Sequence, residues 1–413
     1  MTDLKARLDE LEELGLSRRM RLVSGPQGPR VVLDGQPVLV LCSNNYLGLA
    51  DHPRVREAAA DAAMRWGVGA GASRVASGTM TVHRRLEERL AEFVGTRTSL
   101  LFGSGYLANL GVVGALAGPG DAVFVDELSH ASMVDGCRLA RAEAVPYRHG
   151  DAEHLAWQIG RVEPQGGVIA TDTVFAMDGD VAPLGELADL ARRHGLRFVV
   201  DEAHALGTLG PDGRGLVAEL GLEDEVDVVI GTLGKALGSY GAFAACDSRM
   251  ARYLVQAARP FAFSTAPPPP VVAAALAALE LLAEQPRRID KLHANAGALR
   301  DELAREGFDV AGATTQIVPL IVGDAPTALR MCEAALREGV FAQAIRPPSV
   351  PDGTARLRLA VMASHTKTEL RDAARTLGRA ALQAGFRPGA GMPIAETQQL
   401  TDDFAALPAV EAA

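Results

Sequence analysis

Between about Thr98 and Asp247, short apolar runs alternate with helical stretches, and this alternation limits the possible folds more than any other feature of the sequence. Runs of this kind, rich in Val, Ile and Phe, predict strands at Ser99–Phe102, Ala122–Asp126, Gly167–Thr171, Phe198–Asp201 and Val226–Gly231. Strands that alternate with helices form parallel sheets covered by those helices. The pattern therefore predicts an α/β domain with a large, mostly parallel sheet.

A smaller α+β domain is predicted to follow the proline run Pro267–Pro270, which cannot be helical inside. After a long Ala/Leu helix come a strand at Gln316–Val322, a helix at Ala325–Glu338 and a strand at Ala355–Val361. The expected division is an N-terminal helix and strand segment at 1–45, the large domain at 46–265, and a linker helix with the small C-terminal domain at 266–390. The tail at 391–413 has no clear period and is expected to be loosely held.

Composition excludes several classes of protein. The net charge of -10, from 51 acidic and 41 basic residues, argues against nucleic-acid binding. The four cysteines form no CxxC pair, so neither a metal site nor a disulfide framework is expected.

The most apolar run, Val271–Ala283, contains Glu280 and is shorter than the roughly 20 residues of a membrane span. The first twenty residues do not resemble a signal peptide. We expect a cytoplasmic protein that binds no membrane.

Two of the predicted strands end in polar residues that suit one cofactor. The strand ending at Asp201 continues into Glu202-Ala203-His204, and the strand after Val226 leads to Lys235 within Gly231–Gly238. Ligands bind α/β sheets at the carboxyl ends of their strands. Pyridoxal phosphate chemistry needs a lysine that forms a Schiff base and a carboxylate that keeps the pyridine nitrogen protonated. Lys235 and Asp201 suit these roles, although Asp201 alone could equally be a helix cap.

A phosphate-binding P-loop is the alternative interpretation of the lysine segment. It fails, because the Walker pattern needs glycine where Val229 stands and Ser or Thr where Ala236 stands. Two further strand ends carry candidate residues. Phe102–Tyr106 is a Gly-rich turn before a helix, whose amides could hold a phosphate. His130, in Ser129–Ser132, could stack on a flat cofactor or simply cap the next helix.

A proline-rich block, Arg346–Pro351, follows in the smaller domain. Prolines fix the backbone, so Arg346 would be aimed rigidly, as bidentate capture of a carboxylate requires. Arg356 and Arg358 alternate with apolar residues and are predicted to be ion-pair partners on the face of a strand.

Taken in order, these blocks resemble the α-oxoamine synthases, which are fold-type I pyridoxal-phosphate transferases with an aspartate aminotransferase-like fold. The resemblance runs from about Asn44 to about His365 and rests on Ser43–Gly48, Ala72–Arg74, Ser129–Ser132, Met177–Asp180, Asp201–His204 and Gly234-Lys235. It departs from the usual pattern at Ala176, Ala205 and Asn45, which makes substrate preference less predictable. It implies a homodimer with active sites shared between subunits.

The resemblance also implies roles for individual residues. Lys235 would bind the cofactor covalently, Asp201 would pair with its pyridine nitrogen, His204 would contact its phenolic oxygen, and His130 would stack on its ring. The phosphate would be held by Gly105, Tyr106, Thr232 and, from the partner subunit, Thr265. Arg346 would bind the amino-acid carboxylate, Asn44 would lie beside the cofactor, and Arg18 would contact the acyl substrate.

The expected reaction joins a small amino acid to an acyl-CoA thioester with loss of carbon dioxide. The block at Arg346–Pro351 most resembles members that use L-alanine and a pimeloyl thioester. Asn44–Tyr46 and Gly231–Gly238 fit members that use glycine and acetyl-CoA at least as well. A non-catalytic partner subunit and a plain aminotransferase are further alternatives. Lys235 argues against the first, and the Arg346–Pro351 block argues against the second.

Overall fold

A computed structural model describes residues 3–162, 164 and 166–389. The helices are α1 Leu4–Glu13, α2 Pro53–Trp66, α3 Thr81–Val94, α4 Gly105–Leu116, α5 Ala131–Ala140, α6 Ala152–Val162, α7 Leu184–His194, α8 Leu216–Leu220, α9 Ser248–Ala257, α10 Arg259–Ala262, α11 Pro269–Glu284, α12 Arg287–Arg305, α13 Ala325–Arg337 and α14 Lys367–Gln383, with a 3-10 turn at Pro211–Gly213. The strands are β1 Val23–Ser24, β2 Arg30–Leu33, β3 Gln36–Val40, β4 Thr98–Phe102, β5 Ala122–Asp126, β6 Glu143–Tyr147, β7 Gly167–Asp172, β8 Arg197–Asp201, β9 Val228–Thr232, β10 Ala242–Cys246, β11 Ile317–Gly323, β12 Val340–Phe341, β13 Gln343–Ile345 and β14 Ala355–Ala360.

These elements form two compact units. Among the described residues, the larger unit comprises those within 44–176 and 180–290, and the smaller comprises those within 3–43, 177–179 and 291–389. The N-terminal strands belong to the smaller unit, because β3 pairs in parallel with β12. Helix α11 belongs to the larger unit, because it packs on α2 and α3. The division therefore falls between Asp290 and Lys291, later than the sequence suggests, and the predicted tail at 391–413 lies outside the described residues.

A seven-stranded sheet forms the centre of the larger unit, in the order β4-β10-β9-β8-β7-β5-β6. Its neighbours are parallel except around β10, which runs antiparallel to both β4 and β9. The predicted mostly parallel sheet is thus confirmed. Asp126, Asp172, Asp201 and Thr232 end four of the parallel strands, so their side chains start from the same edge of the sheet.

The smaller unit contains two sheets, ordered β1-β2-β3-β12 and β11-β14-β13. Strand β14 lies between β11 and β13 and is buried along its whole length. Arg356 of this strand forms an ion pair with Asp178, as predicted for an arginine on a strand face. Within the described ranges, every helix is too short or too polar to cross a lipid bilayer.

Close packing between β9 and β10 yields the first testable prediction. A Cβ atom added at Gly231 would lie 2.5 Å from the Phe243 ring, and Phe243 is fully buried. Gly231→Ala should therefore lower the free energy of unfolding by about 1–3 kcal/mol through overpacking. Chemical denaturation measures this change. Gly234→Ala is the matched control, because the nearest atom there would be 3.6 Å away; equal effects of the two substitutions would contradict the prediction.

Candidate active site

Lys235 lies in a tight turn directly after β9. The Gly234 amide donates to the Thr232 hydroxyl at 3.2 Å, and the Gly238 amide donates to the Lys235 carbonyl. Gly238 has φ +60, and a Cβ atom there would lie 2.4 Å from the Ala50 nitrogen. Only glycine fits this position without strain, so the turn that presents Lys235 depends on it.

A chain of hydrogen bonds runs from the Lys235 amine into the protein interior. Lys235 Nζ lies 2.8 Å from His204 Nε2, and His204 Nδ1 lies 2.7 Å from the Tyr46 hydroxyl. The Tyr46 hydroxyl donates to Asn44 Oδ1 at 3.1 Å, so it accepts from His204 Nδ1. His204 Nε2 is then an acceptor for the Lys235 amine. This arrangement holds the amine in place and offers it a neighbouring base.

Asp201 ends β8 as a buried carboxylate, 4% exposed. Its Oδ1 accepts from the Ala203 amide at 2.8 Å, and its Oδ2 accepts from Asn109 Nδ2 at 2.6 Å. Asn109 lies on α4, whose other residues are almost entirely apolar. Two donors from different elements therefore fix the carboxylate at the sheet edge, where it can pair with a cationic group of a ligand.

His130 caps α5, as one of the two interpretations of this residue predicts, and its stacking on a cofactor stays a prediction. Its amide donates to Asp172 Oδ2 at 2.9 Å, and its Nδ1 lies 2.6 Å from the Ser132 hydroxyl. Burial lowers the pKa of His130; the Asp201 charge opposes that effect and the Lys235 charge adds to it. His130 therefore lies within electrostatic reach of both Asp201 and Lys235. Burial, together with the Asp201 charge, raises the pKa of Asp172 well above its usual value.

The start of α4 offers amides for a phosphate group. Ser104 caps this helix by accepting from the Leu107 amide at 3.2 Å, and amides in the first turn of a helix have no acceptor within it. A Cβ atom at Gly105 would meet nothing within 4 Å, so the approach is open. The Tyr106 hydroxyl donates to Asp135, and the Tyr106 ring stands nearly perpendicular to that of His130 at 6.4 Å.

These groups match what pyridoxal phosphate requires. The larger unit supplies a lysine in a tight turn, Lys235, a buried carboxylate, Asp201, and an imidazole near both, His130. It also supplies the accessible first turn of α4, whose amides can bind an anion. Asn44, Thr232 and Thr265 lie in this unit too. Thr265 forms an isolated bridge with Ser73, and its contribution to a partner's site stays a prediction.

Arg18 and Arg346 lie in the smaller unit. The Arg346 guanidinium donates to the carbonyls of Gly15 and, at 3.3 Å, of Ser17. Burial and the nearby Arg18 charge both lower the pKa of Arg346. The assignment of Arg346 to the amino-acid carboxylate and that of Arg18 to the acyl substrate stay predictions.

Sequence reasoning missed several polar residues of this region. Asn109 could have been noticed as a polar side chain within an apolar helix, and Asp172 as a second strand-terminal carboxylate beside Asp201. The bridge that His149 makes between Asp126 and Asp180 could not be recognised, because its members come from three separate segments.

His149 bridges two carboxylates, and this bridge makes stability depend on pH. Its Nδ1 lies 2.9 Å from Asp126 and its Nε2 lies 2.8 Å from Asp180. Burial disfavours the charged ring, but the hydrogen bonds and charges of the two aspartates outweigh it and raise the pKa of His149 to about 10 from 6.5. Because folding raises the pKa of His149, its charged ring stabilises the folded protein fully below about pH 6.5, and this stabilisation is lost as the pH rises through about 10.

His149→Gln should therefore lower the free energy of unfolding by on the order of 3 kcal/mol near pH 6. The difference from wild type should shrink between pH 6.5 and 10. Urea denaturation across this range measures it, with His194→Gln, at an exposed position, as control. A difference that did not change with pH would show that the charge on His149 is not responsible.

Comparison with known proteins agrees with this geometry. The family model described as aminotransferase class I and II matches residues 36–377. An 8-amino-7-oxononanoate synthase from Anaeromyxobacter sp. (strain K) is 51% identical over 394 residues, covering 95% of this chain and 97% of that protein. A solved structure of a serine palmitoyltransferase from S. paucimobilis with bound PLP-myriocin aldimine has a TM-score of 0.87 and 34% identity, covering 92% of this chain and 97% of that one.

A solved 8-amino-7-oxononanoate synthase from Francisella tularensis has a TM-score of 0.71 and 24% identity, covering 83% of this chain and 97% of that one. At this identity the likeness concerns the fold alone. The predicted fold-type I transferase fold and the predicted family are both confirmed. The chain belongs to the class I and II aminotransferase family of pyridoxal-phosphate enzymes and, within it, to the α-oxoamine synthases.

Proposed function

We propose that this chain condenses L-alanine with a pimeloyl thioester to give 8-amino-7-oxononanoate, carbon dioxide and the free thiol, a step of biotin biosynthesis. The observation that carries the proposal is the Lys235 amine held 2.8 Å from His204 at the sheet edge that also presents Asp201. The 51% identity with an 8-amino-7-oxononanoate synthase over nearly the whole chain supports the choice of substrates.

Pyridoxal phosphate, when bound, supplies an electron sink that stabilises negative charge at the amino-acid Cα. Asp201 would hold the protonated ring nitrogen, while His130 would stack on the ring. Lys235 Nζ would hold the cofactor and, once displaced by substrate, would take up the α-proton, with His204 orienting the amine. Arg346 would bind the substrate carboxylate. The new carbon–carbon bond would form as the thiol leaves, the original carboxylate would depart as carbon dioxide, and a proton would return to the same carbon.

We further propose a cytoplasmic homodimer with shared active sites. Large apolar side chains are exposed on the larger unit, including Phe263 at 77%, two positions before Thr265 in the sequence, and Tyr240 at 53%, five positions after Lys235. Exposed apolar surface of this kind favours association. Sedimentation velocity would test the proposal, with a mass of twice 43.3 kDa expected and a single-chain mass contradicting it.

The substrate assignment is tested with purified protein loaded with pyridoxal phosphate. Pimeloyl-CoA is mixed separately with L-alanine, glycine and L-serine, and acetyl-CoA with glycine runs in parallel. Free thiol is followed by absorbance, and products are identified by mass spectrometry. Thiol release with L-alanine and the mass of 8-amino-7-oxononanoate are expected. Release with glycine and acetyl-CoA alone would move the chain to the 2-amino-3-ketobutyrate CoA ligases.

A further inference from the structure

Two residues with no assigned role connect the Asp201 carboxylate to the His130 ring. Asn109 Nδ2 donates to Asp201 Oδ2 at 2.6 Å and to Ser132 Oγ at 3.0 Å. Ser132 Oγ in turn lies 2.6 Å from His130 Nδ1. We infer that Asn109 and Ser132 are positioning residues, which fix the Asp201 carboxylate and hold His130 in the neutral tautomer with its proton on Nε2. The hydrogen bonds do not depend on the proposed function. Only the use of this site for pyridoxal phosphate rests on that proposal.

The directions of these hydrogen bonds follow from the donors available. An oxygen of Asp201 at 2.6 Å requires a donor, which orients the Asn109 amide with its NH₂ group toward the carboxylate. The second hydrogen of that group goes to Ser132 Oγ. Because Ser132 Oγ accepts there, its own hydrogen is directed to His130 Nδ1. The Ser132 amide also donates to His130 Nδ1, at 3.4 Å. A ring nitrogen that accepts hydrogen bonds carries no proton, so the proton of neutral His130 lies on Nε2.

Packing holds these groups in place. Asn109 is 1% exposed and Ser132 is fully buried, on helices α4 and α5, which pack against each other. The helices approach so closely that a Cβ atom at Gly136 would lie 2.8 Å from the Val113 Cβ. Asn109 Oδ1 is buried and meets no hydrogen-bond partner among the described residues. An unsatisfied buried oxygen is destabilising, which indicates that this amide is retained for the two bonds that its NH₂ group makes.

The tautomer matters because a doubly protonated, positively charged His130 would compete with the cofactor's ring nitrogen for the negative charge of Asp201. A doubly protonated His130 would need to donate from Nδ1, where Ser132 already supplies two hydrogens. The ring therefore stays neutral, and the Asp201 charge remains available for the cofactor's ring nitrogen. The charged groups that act on the His130 ring are Asp201, Lys235 and Asp135, while its backbone amide faces Asp172.

Two measurements test this inference on the pyridoxal-phosphate-loaded protein without any substrate. Long-range ¹H–¹⁵N spectra of ¹⁵N-histidine-labelled protein report the tautomer of His130, assigned by comparison with His130→Gln. Equilibrium dialysis gives the Kd for pyridoxal phosphate. Wild type should show a neutral ring protonated on Nε2. Asn109→Ala and Ser132→Ala should give mixed tautomers or a charged ring, and Asn109→Ala should raise the Kd at least about 10-fold.

Asn295→Ala is the matched control for loss of a buried asparagine. Asn295 is 2% exposed and donates to backbone carbonyls in the smaller unit, so its loss should leave the His130 tautomer and the Kd unchanged. A wild-type ring protonated on Nδ1 would overturn the inference, even where a variant does not fold. Unchanged tautomer and Kd in folded Asn109→Ala would overturn it as well. Neither readout depends on the substrates, so failure of the proposed reaction would be seen separately.

Discussion

Replacing Lys235 by alanine should lower the rate of condensation by about 10⁴-fold or more. In the proposed mechanism the amine is needed twice, to hold the cofactor and to move the α-proton. His204 Nε2 lies 2.8 Å from this amine; it is an acceptor that can orient the amine but cannot form the covalent link in its place. Steady-state turnover and cofactor absorbance, measured on the same preparation, would check this expectation.

The control for Lys235→Ala is Lys367→Ala, which removes an exposed lysine at the first position of α14. That variant should keep wild-type turnover. Turnover by Lys235→Ala within ten-fold of wild type would remove Lys235 from the chemistry and would favour a different base in the site.

Replacing Asp201 by asparagine should lower kcat by about 10²–10³-fold. The substitution keeps the shape of the side chain, and an amide oxygen can still accept from Asn109 Nδ2 or the Ala203 amide. What it removes is the negative charge that would stabilise a protonated ring nitrogen. Cofactor affinity should fall as well, since an amide pairs only weakly with a cation.

Asp227→Asn provides the matched control on the same sheet. Asp227 precedes β9 and holds Arg197 and the Phe198 amide at the opposite, amino-terminal end of β8. Its substitution should lower stability without lowering kcat. Equal losses of kcat in the two variants would mean that Asp201 acts only through stability.

The strand ends that form the site were predictable because each buried strand stops at a polar residue. The apolar runs ending at Asp126 and Asp201 mark two carboxylates at one edge of the sheet, and the observed strands end at those residues. The strands β6 and β10 were not predicted. One contains Glu143 and Pro146, and the other is largely alanine, so neither has the composition that favours strands.

The hydrogen-bond chains around the site could not be predicted in the same way. Asn109 meets Asp201 across 92 positions of sequence, and Tyr46 meets His204 across 158. Such contacts depend on how helices pack on the sheet, which local patterns do not specify. The observed units differ from the predicted division for a related reason, because the pairing of β3 with β12 joins distant segments of the chain.

The most direct test of the proposed reaction follows both small products at once. The protein loaded with pyridoxal phosphate is mixed with pimeloyl-CoA and L-alanine labelled with ¹³C at its carboxyl carbon, and labelled carbon dioxide and free CoA thiol are measured together. Decarboxylative condensation predicts their release in equal amounts, with no label left in the product. Thiol release without labelled carbon dioxide, or labelled carbon dioxide without thiol, would contradict it.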